Sequence, residues 1–84
     1  MDTIFFEQFL DGGILKEESF RASVDAIDWS QYRDKKVMIK GCSDVPVPTW
    51  AYLVITARLA QYAGRIVYGE PCSAVRIFTR DGKR

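Results

Sequence analysis

Two cysteines, with the acidic and hydroxyl residues beside them, are the side chains of this sequence best suited to chemistry. Cys42 is followed by Ser43 and Asp44, and Cys72 lies two positions after Glu70. Thiolates bind zinc or iron, and carboxylates can complete the coordination shell. A thiolate can also act as a nucleophile when its surroundings favour the ionised form.

The chain contains no histidine, and this limits the kinds of catalytic and metal site that the cysteines could form. Without imidazole, the usual general base near neutral pH and the commonest metal ligand are both missing. Serine triads and zinc sites that need imidazole are therefore excluded. A reactive Cys42 would need a carboxylate, Lys40 or a tyrosine as its base. Neither cysteine belongs to a CxxC pair, so a site of four thiolates would need two chains.

Three interpretations of the cysteines stay open. In the first, Cys42 and Cys72 line a ligand site or hold zinc or iron. In the second, one of them is the nucleophile of a thiol-dependent enzyme. In the third, both are small buried residues, and the serines and prolines around them shape turns. The sequence alone does not decide whether the chain is an enzyme.

A predicted strand, helix and strand must position the cysteines. We predict strands at Val37 to Lys40 and Ile66 to Tyr68, with a helix from about Trp50 to Ala63 between them. Such a unit crosses over with a right hand, which makes the two strands parallel. Cys42 and Cys72 then follow the carboxyl ends of neighbouring strands, where open α/β sheets usually bind ligands.

The ends of the central helix carry their own signals. Thr49 is a good N-cap, because its hydroxyl can accept a hydrogen bond from an unpaired amide of the first turn. It would also lie at the same edge of the sheet as the cysteines, so we include it among the candidate site residues. Gly64 is the predicted C-terminal stop.

The flanking segments complete a small α/β (or α+β) domain. Thr3 to Leu10 favours a strand, Glu17 to Ile27 an N-terminal helix, and Ala74 to Thr79 a final strand with alternating apolar residues. Trp29 and Tyr32 are expected to pack back on the core from a loop. The length of 84 residues predicts a single domain, residues 1–84.

The central helix is apolar around most of its circumference. One small sheet covers only one side of a helix, so the remaining apolar surface needs a further layer. A second subunit is the hypothesis we favour, because a short chain has little other material and dimers are the commonest soluble oligomers. Tyr52, Leu59 and Tyr62 are the residues predicted to form this homodimer interface.

Charge and hydropathy give expectations about partners and location. Twelve Lys and Arg against eleven Asp and Glu leave a net charge of +1, so the overall balance predicts no nucleic-acid partner. No signal segment and no apolar run of about 18 residues is found, so we expect no membrane association and a cytoplasmic location. Cysteines in that compartment are more often thiols or ligands than disulfides.

Four stretches of the chain resemble a known family. KGCSDVPVPTWAY, YGEPCS, GGILKEESFR and DWSQYRDKKV are similar to segments of the bacterial domain-of-unknown-function family 2480, so the similarity extends over most of the chain, from Gly12 to Ser73. The resemblance implies no activity and no catalytic residues. Longer members carry two versions of the strand, Cys-Ser loop, Pro-Thr and helix unit, whereas this chain carries one. The resemblance therefore implies that two copies pair.

The function that these observations favour is a homodimeric binding module with a cysteine-lined ligand or metal site. One alternative is a purely structural or protein-interaction domain without a small-molecule site. The second alternative is a thiol-dependent enzyme.

Overall fold

The computed structural model of the chain describes residues 1–41, 46–69 and 73–80. These residues form a four-stranded sheet and two α-helices. The elements in chain order are β1 (Asp2–Phe5), a 3-10 turn (Phe6–Phe9), α1 (Glu17–Ala26), a second 3-10 turn (Trp29–Tyr32), β2 (Lys36–Lys40), α2 (Thr49–Leu59), β3 (Arg65–Tyr68) and β4 (Val75–Thr79).

The strands lie side by side in the order β1-β2-β3-β4. The first three are parallel, and β4 runs antiparallel to β3. The α/β class and the parallel strand, helix and strand unit predicted from the sequence are both confirmed. None of the described helices is long and apolar enough to cross a membrane.

Both helices pack on the same face of the sheet. Their buried residues belong to one hydrophobic cluster with alternate residues of the first three strands. From the helices this cluster takes Phe20, Val24, Ala51, Ile55 and Leu59, and from the strands it takes Ile4, Val37, Ile39 and Ile66. Since successive strand residues point to opposite faces, Met38 and Val67 lie on the other face, outside that cluster.

The N-terminal strand is shorter than the sequence predicts. Strand β1 ends at Phe5, and the 3-10 turn that follows places Phe6 and Phe9 in the core. Residues three apart eclipse one another in a 3-10 turn, so both rings reach the same side. The expectation of a strand over Thr3 to Leu10 is therefore wrong beyond Phe5, because two buried rings stabilise the turn.

The aromatic residues after α1 pack on the core, as predicted. Trp29 is buried, and its indole Nε1 donates to the carbonyl oxygen of Val24 at 3.0 Å. Tyr32 lies beside it, with ring centroids 5.9 Å apart. Burial raises the pKa of the Tyr32 phenol above its usual value, and the carboxylate of Asp2 adds to this rise.

Helix α2 begins within one residue of the predicted start near Trp50, but its predicted N-cap and its predicted C-terminal end are wrong. Thr49 is the first helical residue, Pro48 occupies the N-cap position, and no side chain caps the amides there. At the other end, the helix stops at Leu59 rather than at Ala63. The guanidinium of Arg80 donates to the carbonyl oxygens of Ala60 and Ala63, at 2.7 and 3.2 Å, and so closes this end of the helix.

Strand β4 is present as predicted, but Val75 and Ile77, the apolar residues that alternate in its sequence, are exposed. Val75 and Ile77 are 59% and 49% exposed. The pairing with β3 shifts between Ile66 and Val67, which indicates a bulge at which Arg76 and Ile77 together oppose Val67. The sequence of β4 indicates side chains that point alternately to the two faces of the sheet, and the bulge interrupts this alternation.

Candidate functional site

The carboxyl ends of the parallel strands are the edge at which sequence analysis placed the site. Gly41 follows β2 and Gly69 follows β3 at this edge, and the amide of Gly69 donates to the carbonyl oxygen of Ile39 at 3.1 Å. Thr49, at the start of α2, is exposed. The other predicted site residues, Cys42, Ser43, Asp44, Glu70 and Cys72, lie outside the described residues.

Two tyrosines occupy this edge. Tyr52 of α2 and Tyr68 of β3 meet edge to face, with ring centroids 5.2 Å apart. The Tyr52 ring also packs against buried Phe6, at 4.8 Å between ring centroids. A Cβ on Gly41 would lie 2.9 Å from the Tyr52 hydroxyl and 3.3 Å from the Tyr68 hydroxyl. Glycine at position 41 therefore lets both hydroxyls approach the backbone at the end of β2.

An apolar groove, which we call the α2–β4 groove, runs from these tyrosines between α2 and β4. It has a volume of about 290 Å³. Its lining residues are Ile39, Tyr52, Leu53, Thr56, Tyr68 and Ile77. The Thr56 hydroxyl donates to the carbonyl oxygen of Tyr52 at 2.7 Å, so the polar atom of this threonine is satisfied within the helix.

The chemistry available in the α2–β4 groove is that of binding. Its walls offer apolar contact area, and the phenolic hydroxyls at one end can donate or accept hydrogen bonds. Within residues 1–41, 46–69 and 73–80, no three metal-ligating side chains cluster. Both cysteines fall outside these ranges, so the metal hypothesis stays a prediction.

The residues predicted for a dimer interface have three different positions. Tyr52 lies in the groove wall. Leu59 is 0% exposed and belongs to the core, so it has no side-chain surface to offer a second subunit. Tyr62 is half-buried beneath the Arg33 guanidinium, whose carbon lies 5.1 Å from the ring centroid. The large apolar side chain that α2 exposes is Leu53, at 63%.

Sequence reasoning missed the tyrosine pair, Leu53 and Ile77 as parts of one surface. The helix is apolar on nearly all sides, so its pattern could not show which residue the sheet leaves uncovered. One signal could have identified Tyr68 as part of this surface. It is the last residue of a predicted strand whose carboxyl end lies at the edge where the site was expected.

Comparison with known proteins identifies the family. A sequence model of the family described as "Protein of unknown function (DUF2480)" matches residues 15–80 of the chain. The chain belongs to this family. The match to DUF2480 runs through α1, β2, α2, β3 and β4, so it includes the α2–β4 groove. No curated protein and no solved structure matches the chain.

Proposed function

We propose that this DUF2480 chain is a homodimeric binding module, in which two copies pair along β4 and close the α2–β4 groove between them. The observation that carries the proposal is the exposure of Leu53, Val75 and Ile77 beside the outer edge of β4. Contiguous exposed apolar side chains are typical of protein–protein interfaces. An edge strand with unpaired backbone groups is a template for a further strand.

A second copy fits this surface better than an unrelated partner for two reasons. Antiparallel pairing of two identical strands has two-fold symmetry, so the same edge serves both copies. None of the residues that line the α2–β4 groove is charged, so pairing brings no like charges together there. Each copy would cover the exposed residues of the other, which a single chain leaves in water.

Replacing Ile77 with glutamate tests the pairing. We expect the native chain to be a dimer at tens of micromolar, and Ile77→Glu to raise the dissociation constant at least about 100-fold, because two unpaired carboxylates would lose water at the interface. Size-exclusion chromatography with light scattering measures both.

Ile14→Glu is the matched control, because Ile14 is 57% exposed and lies in the connection before α1. It should leave the dimer intact. A monomeric native chain, or equal dissociation of both variants, would contradict the proposal.

A ligand or metal site at Cys42 and Cys72 is the second part of the proposal. Chain connectivity supports it, since Cys42 follows Gly41 directly and Ser73 follows Cys72. The Gly69 amide bonds to the carbonyl oxygen of Ile39, so the chain leaves β2 and β3 at neighbouring points. The two thiolates of one chain, with the carboxylates of Asp44 and Glu70 to complete the coordination shell, would supply four ligands for a zinc or iron ion. Such thiolates persist in a reducing compartment, in line with the cytoplasmic location expected from the sequence.

Elemental analysis of the purified dimer tests the cysteine site. We expect zinc or iron to be bound, and expect Cys42→Ser and Cys72→Ser each to lose the metal and lower the Tm. Ser73→Ala is the control and should retain both. Metal-free native protein, with a Tm unchanged by either cysteine variant, would make the cysteines ordinary packing residues and leave the pairing along β4 as a separate question.

A further inference from the structure

The face of the sheet that the helices leave uncovered carries four cations. Val37, Ile39 and Ile66 point toward the helices, so the residues between and beside them on β2 and β3 point away. On this basis the face includes Lys36, Lys40 and Arg65. Arg76 of β4 is paired with Val67 and joins them.

The face has no carboxylate at any strand position within the described residues. Asp2 lies in register with Val37, which places it on the helix side, where its carboxylate is 3.6 Å from the Lys35 ammonium. Glu17 and Asp25 belong to α1. Among the described residues, the net charge of +1 therefore conceals a separation of charge, with a basic sheet face on one side and carboxylates on the helices, the connections and the other face.

This separation determines what can cover the face. Parallel strands are almost always covered on both sides, whereas both described helices lie on one side here. A second copy packed face to face would oppose four cations to four others, and like charges disfavour that arrangement. Lys36, Arg65 and Arg76 make no ion pair with any other residue in the described part of the chain. The face suits an anionic partner.

The cations are spread over the face, which indicates a partner that carries a chain of negative charges rather than a single anion. Lys36 and Lys40 are separated by about 13 Å along β2, and β2 and β4 are about 10 Å apart across the sheet. Phe5 lies on the same face, 48% exposed, with the Lys40 ammonium 5.7 Å from its ring centroid. Proteins that bind single-stranded nucleic acid combine cations placed along the phosphate backbone with aromatic rings on which the bases stack.

We infer that the basic sheet face binds single-stranded nucleic acid, with phosphates at Lys36, Arg65 and Arg76 and a base on Phe5. Overall charge balance gave no reason to expect such a partner, because it averages over the two sides of the sheet. The site belongs to each chain and does not depend on pairing along β4.

Fluorescence anisotropy with a labelled 12-nucleotide single strand of mixed sequence tests the inference. Three phosphate contacts predict a slope of about −2.1 in the plot of log affinity against log salt, and hence about 18-fold weaker binding at 200 mM than at 50 mM salt. Lys36→Gln/Arg76→Gln should reduce the magnitude of that slope by about 1.4. Phe5→Leu should weaken binding about fivefold or more without changing the slope.

The matched control is Lys16→Gln/Arg21→Gln, which removes the same charge from the helix side, where both residues are exposed. It should leave affinity and slope unchanged. Equal weakening by the two double variants would overturn the inference, as would an absence of binding at 50 mM salt. Tighter binding to a poly-glutamate peptide or to anionic phosphatidylserine vesicles than to the single strand would also overturn it, by assigning the face to an acidic protein or a membrane surface.

Discussion

Phe6→Ala is expected to lower the free energy of unfolding by about 3 to 5 kcal/mol, the largest effect we predict for a single substitution. Phe6 is 0% exposed and stands between β1 and the helices. Its ring centroid lies 5.9 Å from that of Phe9, 6.3 Å from that of Phe20 and 4.8 Å from that of Tyr52. Truncation would leave a cavity that these three rings cannot all close.

The loss would be a large part of the total stability, since a chain of this length typically has about 4 to 13 kcal/mol. Urea denaturation followed by circular dichroism measures it. Phe5→Ala is the control, because Phe5 is the neighbouring residue of the same type and is 48% exposed. We expect it to cost less than about 1 kcal/mol. Similar losses for both variants would show that Phe6 is not the core residue described above.

Gly64→Ala is expected to cost about 1 to 3 kcal/mol, because the added methyl group has no space. A Cβ on Gly64 would lie 3.0 Å from the carbonyl oxygen of Asp34 and 3.1 Å from its carbonyl carbon. These are backbone atoms held by further bonds, since the amide of Asp34 donates to Tyr62 and that of Gly64 to Lys35. The segment after α2 would have to move away from the connection that precedes β2.

Gly41→Ala provides the contrast for Gly64→Ala. The nearest atoms to a Cβ on Gly41 are the hydroxyls of Tyr52 and Tyr68, which are the ends of side chains and can shift. We expect Gly41→Ala to cost less than about 1 kcal/mol and to change the near-ultraviolet circular dichroism of the tyrosines. Thermal and urea denaturation of both variants make the comparison. Equal stability losses would contradict the assignment of Gly64 to a backbone contact.

The parts of the fold that follow from local pattern were predictable. Strands β2 and β3 are short apolar runs, and a helical segment between two such strands has one favoured handedness. The C-terminal end of α2 was not predictable, because the carbonyl oxygens there bond to a residue distant in sequence. Arg80 bonds to the carbonyl oxygens after Leu59, and no local signal in the helix reports that contact.

The edge of the candidate site was predictable, but its residues were only partly so. Topology alone predicts a candidate site at the carboxyl ends of β2 and β3, and Tyr52 and Tyr68 lie at this edge. The bulge in β4 was not readable from the sequence, since Ile77 alternates with Arg76 as in a regular strand. The separation of charge required the register of three strands, because only the register assigns each cation to a face.

The edge position of β4 has a consequence for the arrangement of the whole assembly. An antiparallel pair of identical strands is related by an axis perpendicular to the sheet, so both copies present the same face to the same side. The helices of the two chains would lie on one side of an eight-stranded sheet. The two basic faces would form one surface on the other side. A single-stranded nucleic acid long enough to cross both faces would bind bivalently, because its second contact is favoured by a high effective concentration.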